Sequence, residues 1–240
     1  GGAGQPAPPS PKPPEPPDGG VPDEPDLPAS GARALNQPVY PDFPQMPREP
    51  EDGNWDAYLT AYAKYEQDLS ALRGEGLLPE DREALLRFAG VSTPLALAGQ
   101  EGENAVYSPL SLWSALALLA QCAGGESRDQ VLTALGADSA EALQAQVSQV
   151  WRSLYTDDGA SSLLLSNSVW LNDARAGRYV QETLDILARD YYAGVFAVPM
   201  GAPAANQAVT AWISQEPRGL IGGGEPVVRT TPATLALLVS

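Results

Sequence analysis

The stretch Asn104-Ala-Val-Tyr107-Ser108-Pro109-Leu110-Ser111-Leu112-Trp113-Ser114-Ala-Leu-Ala-Leu-Leu-Ala120 decides how the rest of the chain is read. A short extended segment leads into Ser108, whose hydroxyl can accept from a free amide of the first helical turn. Pro109 suits the position after it, because its missing N–H costs nothing there and its φ is already set. The helix that follows carries no polar stripe beyond the small hydroxyls of Ser111 and Ser114. Such a helix in a globular chain is expected to be buried all round, with partners for those hydroxyls inside.

Working outward, residues 1–50 hold sixteen of the chain's 24 prolines, together with Gly, Asp and Glu. This leader is expected to be disordered and to sample polyproline II, since it has too few apolar groups to offset its ordering entropy. Pro11 to Pro14 fits a docking motif for proline-recognising modules, but a spacer reading is favoured. Trp55, Tyr58, Leu59, Tyr62, Tyr65, Leu69 and Leu72 then recur at helical spacing after Asn54 and before Gly74. They predict an amphipathic helix within an appended segment, residues 51–76, packed on the domain rather than binding a sugar.

Residues 77–240 form the domain proper. Leu85, Leu86, Phe88 and Ala89 mark a helical face over 77–99, with Pro94 either kinking one helix or opening a second. Beyond the central helix, Cys122 is expected in the core. Ser127 and Gln130 suggest a capping box for a helix ending at Gly136, and Ser139 opens another through Leu154. Asp157-Asp158-Gly159 is a turn. Ser162–Leu171 alternates as one strand, Tyr179–Tyr191 is a helix, and Val195–Val198 is a short strand. Pro203 opens a further helix, and Gly219–Gly224 is a loose connection. Thr234-Leu-Ala-Leu-Leu-Val-Ser240 reads as an interior strand of a longer chain, and Gly1 as a processed terminus.

Composition narrows the chemistry. The net charge of −16 repels phosphate backbones and anionic lipid, so no nucleic-acid partner is expected. The absence of histidine removes His-dependent triads and most zinc sites, and one cysteine permits no internal disulfide. No cofactor, metal site, catalytic residue or enzymatic activity is expected, and no apolar run of about 18 residues is present to span a membrane.

Five motifs in register resemble the serpin family: Asn104-x-x-Tyr-Ser-Pro-Leu-Ser-Leu112 with its Ala/Leu helix, Gly125-x-Ser-x-x-x-Val-Leu132, Leu165-Ser-Asn-Ser-Val-Trp-Leu171, Tyr179-Val-x-x-x-Leu184 with Tyr191-Tyr192, and Ala208-Val-Thr-Ala-Trp-Ile213 with Gly219-Leu-Ile221. Thr231-Pro-x-Thr-x-Leu-x-Leu-Leu-Val239 is similar to the start of the strand that flanks the opening of the main sheet in that family. The resemblance implies an α+β fold, the N-terminal part of a serpin. Helices would pack on a main, mostly antiparallel sheet that is incomplete at the C-terminus.

It further implies a trap for a serine or cysteine protease, in which a cut reactive loop inserts into the sheet as a new strand. That loop is expected beyond Ser240. Ser108, Ser111, Asn167 and Ser240 fall in the region beneath the parting strands, often called the shutter. Thr210, Pro217, Leu220 and Ser240 depart from the residues usual in the family. A bacterial-type protein, secreted or lipid-anchored through its N-terminal tether, suits the leader and implies an extracellular or cell-surface location. The alternatives are a non-inhibitory serpin-like extracellular binding or scaffold protein, and an unrelated helical interaction protein. The last requires that Leu163–Leu171 and Leu235–Val239 do not share a sheet.

Overall fold

The computed structural model describes residues 31–100, 102–175, 179–218 and 228–240 of the 240. In chain order the elements are β1 (Arg33–Asn36), α1 (Trp55–Arg73), α2 (Pro79–Ala96), α3 (Pro109–Cys122), α4 (Gly125–Leu135), α5 (Ala140–Leu154), β2 (Thr156–Asp157), β3 (Ser162–Leu163), β4 (Asn167–Asn172), α6 (Gln181–Asp190), β5 (Ala193–Val198), α7 (Pro203–Gln215) and β6 (Ala236–Val239). The strands β1-β5-β4-β6 make one sheet in that order, and β2–β3 a separate hairpin. The unrelated helical reading fails here, because β4 and β6 pair antiparallel with Val169 opposite Leu238.

The sheet is mixed. β4 and β5 run parallel because α6 carries the chain back between them, while β1 and β6 flank them antiparallel. Strand alternation sends Val169 and Val195 to one face, into a core with Trp113, Leu118, Leu143, Val147 and Leu187 of the helices. Their neighbours Trp170 and Phe196 point to the other face, where α7 covers them with Ala205, Ala208, Val209 and Trp212. Both central strands are buried on both faces, which accounts for runs of apolar residues in each.

Several local expectations meet tertiary corrections. α3 is not buried all round: Trp113, Ala117, Leu118 and Ala120 are, but Leu112 is 38% and Leu119 39% exposed. Cys122 is exposed instead of in the core, as the last residue of the helix. Ser127 lies inside α4 and does not cap it. Arg128 Nε donates to Ala120 O and Ala123 O, tightening the join so that the helix begins directly after Gly124. α2 is one helix through Pro94, which sits in the last turn and so forfeits little of the hydrogen-bond ladder.

The expected strand 162–171 is divided. Asp158 Oδ1 accepts from Ala160 N and Ser161 N, folding Ser162–Leu163 back on Thr156–Asp157, and only from Asn167 does the chain join the main sheet. Residues 31–50 of the expected disordered leader are ordered. β1 pairs with β5, and Tyr40 stacks on Trp151, so strand addition and aromatic stacking supply what composition alone did not suggest. Residues 1–30 and the Gly219–Gly224 connection, with Leu220, lie outside the described residues.

The 51–76 segment forms its helix with Asn54 as cap, but only Tyr65 of its apolar stripe is buried. Trp55 and Leu59 remain 52% and 59% exposed. The helix meets α5, where Gln149 Nε2 donates to Arg73 O and so holds its C-terminal end.

Candidate functional site

The candidate site is the β4–β6 pair and the start of α3, the helix that lies against both strands. Ser108 has an extended backbone and accepts from Ser111 N at 3.2 Å, the N-cap its position demands. Ser111 Oγ donates to Ser108 Oγ at 3.0 Å. The two hydroxyls therefore close on each other at the helix start.

Asn167 opens β4 and is buried; its Nδ2 donates to Tyr191 O at 2.9 Å, fixing the strand to the exit of α6. Ser240 follows β6 and is exposed. Ser168 faces Val239 in the antiparallel register, so one further step places Ser240 across from Asn167. Of the four residues expected together, the fold sets Asn167 beside Ser240 and Ser108 beside Ser111, as two pairs.

Other residues of the site were not singled out by sequence. Ser168 is fully buried and accepts from Trp170 Nε1 at 2.9 Å, which satisfies the indole inside the α7-facing core. Asn172, at the far end of β4, donates to Pro232 O at 3.1 Å and Thr234 O at 2.9 Å. Asn206 Oδ1 on α7 accepts from both the backbone N and the hydroxyl of Thr230, at 2.9 and 2.8 Å. Thr230 Oγ1 in turn accepts from Gly201 N. The approach to β6 is thereby tied to β4 on one side and to α7 on the other. An Asn directly after a strand's last apolar residue was the available signal for Asn172. Thr210, one of the family departures, has a buried hydroxyl with no partner among the described residues.

Every side chain of this site is neutral. Parting β4 from a neighbour would expose backbone groups and amides but no buried charge. Among the described residues β6 is the last strand on this side of the sheet.

An α+β protein with helices on both faces of a sheet that is antiparallel at two of its three pairings, with a capped Ser-Pro helix on one side and a helix across its front, fits the mostly antiparallel sheet and packed helices that the serpin resemblance implies. The serpin family profile, described as "serine protease inhibitor", matches residues 90–240, more than half of the chain. The chain belongs to the serpin family. It is 34% identical over 145 residues to Serpin-ZXA of Oryza sativa subsp. japonica, covering 58% of this chain and 36% of that protein. With Serpin-Z1A of Triticum aestivum it shares 40% identity over 72 residues, covering 29% of this chain and 18% of the relative. The chain thus spans about a third or less of the length of these relatives.

Its fold is similar to the native stressed conformation of Arabidopsis AtSerpin1, with TM-score 0.58 and 22% identity over 66% of this chain and 42% of that one. It is also similar to the latent state of the thermophilic serpin Tengpin, with TM-score 0.59 and 23% identity over 68% of this chain and 43% of the other. Among the described residues no helix is long and apolar enough to cross a membrane.

Proposed function

We propose that the full-length protein is a serpin-type inhibitor that traps a serine or cysteine protease by inserting its cleaved reactive loop into the main sheet. The observation that supports this most directly is β6. It pairs antiparallel with β4 and lies against α3, so these three elements form the region that would have to rearrange for a further strand to enter the sheet. Ser108, Ser111, Asn167 and Ser240 serve in this reading as short polar contacts around strands that must part. The protein acts as a protease's bait rather than as an enzyme.

The reactive loop is expected beyond Ser240, so the 240-residue chain by itself should not inhibit. The experiment is to incubate the full-length protein with a panel of serine and cysteine proteases and look for complexes that survive denaturing electrophoresis. Cleavage without a stable complex would favour a non-inhibitory binding or scaffold protein, and stoichiometric inhibition by the 240-residue chain would sink the proposed mechanism.

The proline-rich acidic leader supports an extracellular or cell-surface location, with the N-terminus as a tether or site of lipid anchoring. That organisation suits a bacterial-type secreted protein, although the relatives named above are cereal proteins. Cell fractionation of the full-length protein tests it, and recovery only from the cytosol would reject it.

A further inference from the structure

Residues 38–50 read Pro38-Val-Tyr40-Pro41-Asp-Phe43-Pro44-Gln-Met46-Pro47-Arg-Glu-Pro50, with proline at every third position and Tyr40, Phe43 or Met46 two residues after three of them. From Pro41 onward burial follows the same period: Asp42, Gln45 and Arg48 are exposed, whereas Pro41, Phe43, Pro44, Met46 and Pro47 are partly buried, and before it Val39 and the stacked Tyr40 are exposed. The segment has neither helix nor strand. A three-residue period in a proline-rich chain is the signature of polyproline II, which rises about 3.1 Å per residue and makes no internal hydrogen bonds. Its backbone bonds outward instead, from Val39 N to Ala188 O and from Met46 N to Asp158 O.

What it lies on is built from aromatic rings. Trp151 stacks on Tyr155 at 4.3 Å and on Tyr192 at 4.1 Å. Tyr40 stacks on Trp151 at 5.4 Å, and Phe43 meets Tyr155 edge-on at 5.5 Å. The polar tips of the platform are satisfied by the body: Trp151 Nε1 donates to Leu165 O, Arg152 Nε donates to Tyr192 Oη at 2.9 Å, and Ser148 Oγ lies 3.1 Å from it. The body thus offers the segment ring faces together with the carbonyls of Asp157, Asp158 and Ala188. Tyr192 holds φ at 50°, a left-handed conformation that a bulky residue rarely adopts. Strained residues of this kind persist where surrounding structure requires a particular side-chain placement.

Aromatic rings with fixed polar tips are the usual recognition surface for polyproline segments, because that conformation is ordered before it binds. We propose that Trp151, Tyr155 and Tyr192 form a recognition cradle for Pro-x-aromatic repeats, with residues 38–50 as its resident and displaceable ligand. Proline sets the pitch, and the aromatics of the first two triplets, Tyr40 and Phe43, provide the ring contacts. Pro8, Pro11, Pro14 and Pro17 repeat at the same spacing, but Ser10, Pro13 and Pro16 stand where the aromatic is needed, so that segment lacks the required chemistry. The assignment does not depend on the protease-inhibitor reading.

The test uses the full chain carrying Tyr40→Ala and Phe43→Ala, which removes the resident anchors but keeps β1 and the prolines. The probe is a fluorescently labelled synthetic peptide of residues 37–50, followed by anisotropy. It should bind this variant at least tenfold more tightly than the unaltered chain, whose cradle is filled. Replacing Tyr40 and Phe43 in the peptide, or replacing Pro41, Pro44 and Pro47, should weaken binding by tenfold or more, and a Pro8–Pro17 peptide should not bind. Equal binding to both chains, no binding to the variant, or equal binding of the Pro8–Pro17 peptide would overturn the proposal. The single Tyr40→Ala chain supplies the same measurement where the double variant loses its native near-UV dichroism.

Discussion

Tyr65 Oη donates a 2.7 Å hydrogen bond to Asp158 Oδ2, joining α1 to the hairpin turn across 93 residues of sequence. Asp158 is buried, and its other oxygen accepts from Ala160 N and Ser161 N. One carboxylate therefore shapes the turn and holds the appended helix. Tyr65→Phe should leave the turn intact and cost about 1.5–3 kcal/mol, the range for hydrogen bonds to charged groups. Chemical denaturation combined with amide exchange along α1 measures it, and α1 should lose protection before the main sheet does.

The same pair gives a pH dependence. Burial alone would raise the Asp158 carboxyl, but the Tyr65 hydroxyl and the Ser161 and Ala160 amides outweigh it and hold the group below the usual carboxylate range. A depressed value in the folded state stabilises fully above the unfolded value of about 3.9, and this is lost as pH falls through the lower folded value. Protection of α1 should be flat from about pH 7 to pH 5 and fall below about pH 4. In Tyr65→Phe the acid-dependent loss should be smaller, which exchange at matched pH will show.

Gly201 has φ +89°, and a Cβ there would stand 2.5 Å from both the backbone N and Cδ of Pro232. This close approach sets the start of α7 against the segment leading to β6. Gly201→Ala combines left-handed strain of about 1–2 kcal/mol with overpacking of about 1–3 kcal/mol. Thermal unfolding should show a clear drop in midpoint, with the Thr230 to Asn206 contacts the first to loosen in amide exchange.

Asn167→Ala should remove the donor to Tyr191 O and leave a buried carbonyl unpaired, at a cost of about 1–3 kcal/mol. Denaturant titration of the 240-residue chain tests the structural part. In the full-length protein the same variant should also change the rate of any sheet-opening transition, which a purely local role at the α6 exit would not do.

Ser108→Ala should cost about 0.5–2 kcal/mol through loss of the N-cap. Ser111→Ala should cost less, because the Ser111 amide keeps its acceptor on Ser108. Unfolding free energies of the two variants and the double variant give the coupling directly.

Features governed by neighbouring residues were legible in the sequence. The caps at Asn54, Ser108 and Ser139, the left-handed stop at Gly136 and the helices they bound are products of chemistry within one turn of the chain. A strand through Val169, Trp170 and Leu171 was legible from its residues, and the serpin relationship from spaced motifs. Ser108 was legible as a cap, but its pairing with the Ser111 hydroxyl was not, because that depends on rotamers. Ser127 does not cap α4 because Arg128's bonds to the end of α3 decide where that helix begins. The division of 162–171 depends on Asp158 gathering the turn, and the partial exposure of α3 on which neighbours reach its faces. Residues 31–50 show the limit most clearly: their composition argues for disorder, because it registers only the entropy lost on ordering. The β5 edge and the Trp151–Tyr192 rings, each distant in sequence, provide the compensating contacts, and only the tertiary structure brings them there.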